Sequence, residues 1–444
     1  MAARYLRQVQ VLAGPGQPLR REDVLIEGGG GLLFAAEARD QAAALNLSAE
    51  AAETLLLAPA LVDPHSTLEQ PNSGTAETAT SLRAAAAAGG YGTVALLPRS
   101  ERWRDQPELL QPLSDGQGPE LPLWGSFSRR GEGNELAPHA DQLTAGAIGL
   151  ADDDHLPPLA LLERGLRLAE MGSRPVLIAP RDPELCQQGF VREGVDALRA
   201  GWPPDPVLSE TLPLQSLLVL ADALPQAPLQ LMNVSTAAGV ELLRHRQPRL
   251  PASVCWWHLV SDSSTLDPLE EGWRLVPSLG TAHDREALIT GLAEGVLSAV
   301  AVHHIALDPE EQLLPLDQRR PGLAGFHLVL PLLWRDLVQR RGWTIEALWQ
   351  ALCWGPAAFL GIEPPRLQSG TRHWLLYDPD CSWTTPQAGG DPGGQADLVG
   401  TLAANRPCQG MTIQGRVLAC GLQSPLQNRG LAADANTAAP SRQD

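Results

Sequence analysis

Lysine is absent from the chain. All 33 of its basic residues are arginine, which excludes a lysine Schiff base, a phosphate-loop lysine and a carboxylated lysine bridging two metal ions. Cysteine is sparse: the six thiols at Cys186, Cys255, Cys353, Cys381, Cys408 and Cys420 lie far apart and form no C-x-x-C pair, so neither a zinc knuckle nor a disulfide framework is expected. Long apolar runs are also missing, and no window reaches the ~20 residues of a membrane span. Basic clusters go no further than pairs such as Arg129-Arg130 and Arg319-Arg320, and the net charge is -18, which argues against nucleic acid or an anionic membrane as partner. The first sixteen residues carry no signal-peptide layout, so a cytoplasmic chain is expected. Twelve tryptophans fit either core or interface packing.

What is present is a change of rhythm along the 444 residues. The first sixty read as short strands and turns, at 9–12, 24–26 and 32–34. The four glycines at 28–31 suit a hairpin better than a phosphate loop, because no helix follows them directly. From about residue 58 the pattern becomes strand, loop and helix, repeated. Apolar runs at 60–62, 93–97, 121–124, 147–150, 176–179, 229–234, 253–257 and 299–302 predict a closed parallel (β/α)8 barrel. Helices are expected at 75–88, ending at Gly89-Gly90, and at 158–171, with a further one capped at Ser235-Thr236. Short strands return at 374–377 and 414–420. The expected organisation is therefore an α/β chain with the barrel over 58–365 and a small accessory β domain formed by both termini, 1–57 and 366–421. A glycine- and proline-rich stretch at 387–400 is expected to be a mobile loop, and 422–444 a disordered tail.

Catalytic groups of such barrels stand where strands end and loops begin. The first exit carries Leu61-Val62-Asp63-Pro64-His65-Ser66-Thr67, the start of a His-x-His metal motif with a hydroxyl at the second ligand position. The fourth carries Asp152-Asp153-Asp154, the sixth Asn233, the seventh Trp256-Trp257-His258 and the eighth His303-His304. A catalytic zinc takes three protein ligands and keeps one open position. His65, Asp152 and His303 are the candidate ligands, with His304, Asp153 or His303 as candidate acid-base groups. The simpler alternatives are hydrogen-bonded barrel-mouth histidines, and an Asp152 and Asp153 that cap the helix after strand four or pair with a neighbouring arginine. Ser66 and Ser235 have no adjacent histidine, so a serine hydrolase is not expected.

These residues, together with Glu77-Thr78, Asp182-Pro183-Glu184-Leu185, Val234-Ser235-Thr236-Ala237, Asp284-Arg285-Glu286-Ala287-Leu288, Pro321-Gly322-Leu323 and Gln414-Gly415-Arg416-Val417, resemble a dihydroorotase over nearly the whole length. The resemblance implies an amidohydrolase barrel, cyclic amide hydrolysis in pyrimidine biosynthesis and zinc if the chain is active. It fails at functional positions. The family's His-x-His-Leu-Arg is His65, Thr67, Leu68 and Glu69 here, and its Met-Pro-Asn is Leu97-Pro98-Arg99. Its histidines on strands five and six are Ala179 and Asn233, and its Asp-His on strand eight is His303-His304. Glu69, Arg99 and Asn233 thus stand at altered substrate or ligand positions. The opposite charge changes at Glu69 and Arg99 predict that the two pair with each other.

The reading that follows is a catalytically silent dihydroorotase-like protein with no resident cofactor. By resemblance to inactive family members it would act as a structural or regulatory partner, with aspartate carbamoyltransferase the first candidate and self-association a further possibility. The alternative is an active cyclic amidohydrolase with a remodelled mononuclear site.

Overall fold

The computed structural model of the chain describes residues 2–113, 118–266, 274–316, 318–386 and 399–422. The expected loop at 387–400 lies almost wholly outside the described residues, and so does the expected tail beyond Leu422.

Eight parallel strands close a barrel: Leu61–Ser66, Tyr91–Leu96, Gly125–Ser126, Leu150–Ala151, Val176–Ile178, Leu229–Leu231, Ser253–Cys255 and Ala299–Ala301. Ladder pairing joins the first to the second, the third through the sixth in turn, and the seventh to the eighth. Single bridges complete the ring, Thr93 to Glu120 and Leu96 to Leu123 on one side and Leu231 to Ala252 on the other. The run expected at 121–124 therefore touches its neighbour at 120 and 123 but enters a ladder only at Gly125. Closure between the eighth and first strands is partly made by a side chain, since Val302 N donates to Asp63 Oδ1 at 2.8 Å and Thr67 N donates to His304 O at 2.8 Å.

The helices that hold the loops start at strong caps. Thr78 Oγ1 accepts from Ser81 N at 3.1 Å and opens Ala79–Ala88, four residues later than expected. Gly89 caps its far end, where a Cβ would stand 2.4 Å from the Phe326 carbonyl oxygen, so the close approach of backbone requires glycine. The helix expected at 158–171 spans Leu159–Leu168 and stops at Ala169 in the left-handed region. Thr236 Oγ1 accepts from Gly239 N at 2.9 Å and begins Ala237–Arg244.

Strands from the two ends of the chain form one seven-stranded sheet. Its order is Thr412–Cys420, Trp374–Thr384, Leu56–Pro59, Arg4–Val11, Arg20–Ile26 and Leu32–Phe34, with Ala49–Ala51 also beside Arg4–Val11. An apolar cluster of its own, including Leu6, Val24, Leu57, Trp374 and Leu376, fills one face. Trp374 Nε1 donates to Gly30 O at 2.7 Å and pins the hairpin to the C-terminal strand. A helix at Ala35–Ala44, built from strong helix formers, was not signalled by the apolar pattern, because most of its residues are alanine and charge. The tryptophans at 124, 256, 349 and 374 are fully buried, so these four serve the core. Among the described residues no helix is long and apolar enough to cross a membrane.

Candidate functional site

The first barrel strand delivers His65 to the floor of the mouth with no exposed surface. Its Nε2 meets Ser253 Oγ at 2.8 Å and its Nδ1 meets His303 Nδ1 at 3.1 Å. Burial, with the His303 charge beside it, holds the His65 imidazole well below its usual pKa, so the ring is neutral. A neutral imidazole has one N–H and one lone pair, and here both nitrogens are engaged whichever tautomer is present. Ser253 Oγ also accepts from Asn233 N at 3.0 Å, tying the sixth strand exit and the start of the seventh strand to the first exit.

His303 follows the eighth strand with φ at 48°, and Asn233 follows the sixth with φ at 55°. Left-handed backbone at a residue other than glycine is uncommon and costs of order 1 kcal/mol, although Asn and His tolerate it better than most. His303 Nε2 lies 3.4 Å from Asp154 Oδ1, so the eighth exit faces the third aspartate of the acidic run. Burial pushes the Asp154 carboxyl up, but the His303 contact, Arg99 and Arg181 outweigh it and hold the group well below the carboxylate range. His304 turns the other way. Its Nε2 meets Glu77 Oε2 at 3.1 Å and its ring packs on Phe326 with centroids 5.1 Å apart.

Asp152 does not join the two histidines. Its carboxylate accepts from Ser128 N at 2.8 Å, from Ser128 Oγ at 2.8 Å and from Ser126 Oγ at 3.3 Å, and so faces the third strand exit. Asp153 pairs with Arg99 Nη1 at 3.2 Å. The Arg99 guanidinium also reaches Asp154 at 3.4 Å and, through Nε, Glu69 Oε1 at 3.0 Å. The expected Glu69–Arg99 pair is thus formed. Arg320 donates to the same Glu69 oxygen and reaches Glu311 at 2.9 Å, extending the ion-pair chain across the mouth. Between the fifth and sixth exits, around Ala179 and Asn233, only about 10 Å³ of free space remains.

Several of these partners carried no signal in the sequence. Ser253 opens an ordinary apolar strand and Arg320 lies in a loop, while Glu77 showed only as part of the Glu77-Thr78 likeness, with nothing to point it at His304. Asp154 was visible as part of the Asp152-Asp153-Asp154 run, but which of three consecutive carboxylates turns inward is a matter of loop geometry.

The chain is 34% identical over 405 residues to a "probable dihydroorotase-like protein" of Synechocystis, covering 83% of this chain and 88% of that one. It is 30% identical over 345 residues to the dihydroorotase of Thermus aquaticus, covering 74% and 81%. The chain belongs to the dihydroorotase family. No protein-family model matches the chain. Among solved structures, the L-hydantoinase (dihydropyrimidinase) of Arthrobacter aurescens superposes with a TM-score of 0.71 at 17% identity, over 94% of each chain. A Thermus sp. D-hydantoinase gives 0.71 at 16% identity, over 94% of this chain and 96% of that one. These two superpositions show that the chain shares the fold of those two proteins, a barrel with an accessory β domain.

Against that background the donor set does not fit a catalytic zinc. Three ligands with free lone pairs must converge and leave a fourth position open. Among the described residues no group of three or more His, Cys, Asp or Glu is arranged to hold a metal ion. His65 has both nitrogens engaged, Asp152 faces the serines, and Asp154 is drawn to Arg99.

Proposed function

We propose that this dihydroorotase-family chain is catalytically silent and acts in the cytoplasm as a structural or regulatory partner in pyrimidine biosynthesis, with aspartate carbamoyltransferase the first candidate. The observation that carries the reading is Glu69, held between Arg99 and Arg320 at the position where the family motif has an arginine. Dihydroorotate is a carboxylate, best gripped by a bidentate guanidinium, and a glutamate there repels it. The arginine opposite is no substitute, because three carboxylates already occupy it.

The chemistry of ring opening supports the same reading. Hydrolysis of a cyclic amide requires a polarised carbonyl and a hydroxide near neutral pH, which zinc supplies by lowering the pKa of its water to ~7. His65 and His303 spend their adjacent nitrogens on each other, and the eighth-strand position that would take the water's proton is an imidazole beside Asp154. A barrel keeps its fold through such changes because its packing lies below the active-site face.

The deciding experiment measures metal content by mass spectrometry and dihydroorotate hydrolysis on the same preparation. The expected result is substoichiometric zinc and no turnover, with co-purification of aspartate carbamoyltransferase from the native host. Stoichiometric zinc accompanied by turnover overturns the proposal in favour of an active cyclic amidohydrolase with a remodelled mononuclear site.

A further inference from the structure

A cleft of about 170 Å³ opens beside the barrel mouth, between the loops that follow the first and eighth strands. Its charged lining is Glu69, Glu77, Asp308 and Glu311 against Arg320 alone. Most of these carboxylate oxygens are spoken for. Glu77 accepts from His304, Thr401 and Leu402, and Asp308 accepts from Glu311 N and Thr75. Glu311 accepts from Arg320 and Asp308 N.

Two acceptors are left over. Glu69 uses Oε1 for both Arg99 and Arg320, while no described residue donates to its Oε2. Thr67 lines the same cleft, is only 4% exposed, and its hydroxyl makes no hydrogen bond to any described residue. That hydroxyl is therefore open to a donor that enters the cleft.

We propose that this cleft binds a small cation-bearing molecule, an alkylammonium or guanidinium, whose N–H groups donate to Thr67 Oγ1 and Glu69 Oε2. The excess of carboxylates favours a cation and repels an anion, and partial burial strengthens each N–H···O contact relative to water. At ~30 Å³ per water, the space corresponds to roughly five or six waters, enough for a short aliphatic amine. The inference deepens the silent reading of the same mouth and rests on it, because a hydrolase acting on an anion has no use for an unpaired carboxylate oxygen there.

The test is calorimetric titration of the full chain with agmatine, which carries both cationic groups, and with malonate as the anionic control. Saturable agmatine binding, no malonate binding, and at least tenfold weaker binding in Glu69→Gln and Thr67→Val are expected. Absence of saturable agmatine binding, equal binding of malonate, or unchanged affinity in folded variants overturns the proposal. Should Glu69→Gln fail to fold after weakening its ion pairs, Thr67→Val decides alone, since it breaks no salt bridge. Turnover of dihydroorotate is read in a separate assay and overturns the silent reading, whereas failure of agmatine to bind the unaltered chain leaves that reading standing.

Discussion

Arg99 Nε lies 3.0 Å from Glu69 Oε1, joining the loops after the first and second barrel strands. Both side chains are more than half withdrawn from solvent, and Asp153 and Asp154 share the same guanidinium. A cation bearing three carboxylates is a structural tie across the mouth.

Removing it exposes those carboxylates to one another. Arg99→Ala is expected to cost about 1–3 kcal/mol of stability, because partly buried charges lose their partner. In a double-mutant cycle with Glu69→Ala, read by urea denaturation, the two changes are expected to be non-additive by roughly 0.5–2 kcal/mol. Strict additivity would mean that the pair contributes nothing.

A second buried ion pair holds the helix after the sixth strand. Glu210 accepts from Arg192 at 3.2 Å, from the backbone nitrogens of Ser235 and Thr236 at 2.9 and 3.1 Å, and from both their hydroxyls. Glu210→Ala leaves the fully buried Arg192 with Asp205, at 3.2 Å, as its carboxylate partner and removes the acceptor of four hydrogen bonds from Ser235 and Thr236, so it should destabilise by about 1–3 kcal/mol. A loss below about 1 kcal/mol in the same denaturation assay would contradict this role.

Acid should weaken the fold through its buried histidines. Burial first, then neighbouring cationic groups, hold His327 down to about 3, and burial chiefly holds His258 down to about 4. Both folded values lie below the unfolded 6.5, so their contribution is complete above pH 6.5 and is lost as pH falls from there toward the folded values. Each costs up to about 1.4 kcal/mol per pH unit in that window. His327→Gln should make stability less steeply pH-dependent between pH 6 and pH 4, and an unchanged slope would show that His327 is protonated in the native state.

Asp63 works in the opposite sense. Burial raises its carboxyl to about 7, against hydrogen bonds from Ser66 and Val302 that lower it. Its folded value exceeds the unfolded 3.8, so the native state holds the proton more tightly and stability declines as pH rises from about 4 to about 7. Asp63→Asn, which keeps the shape and cannot ionise, should remove that decline relative to the parent chain. Identical pH profiles for the two would show that Asp63 ionises as readily in the fold as in the unfolded chain.

The barrel was legible because parallel strands buried on both faces leave continuous apolar runs, and the runs at 176–179 and 299–302 fall on Val176–Ile178 and Ala299–Ala301. Caps at Thr236 and Gly89 were legible for a local reason: they satisfy the chain's own helix ends. Helix Ala35–Ala44 was not, because alanine and charge produce little apolar period. At the mouth, the Glu69–Arg99 pair could be anticipated from opposite charge changes at neighbouring exits. The inward turn of Asp154 rather than Asp152 could not, since three adjacent aspartates differ only in the loop that carries them.

Sequence alone thus determined the family, the eight-strand order and the hydroxyl that Thr67 places two residues after His65, all of which depend on residue identity and local period. Tertiary structure decided what became of the remaining groups. His65 meets His303 across 238 positions of chain, and Glu69 meets Arg320 across 251. Contacts of that span are set by barrel closure and loop path, for which a linear pattern holds no record.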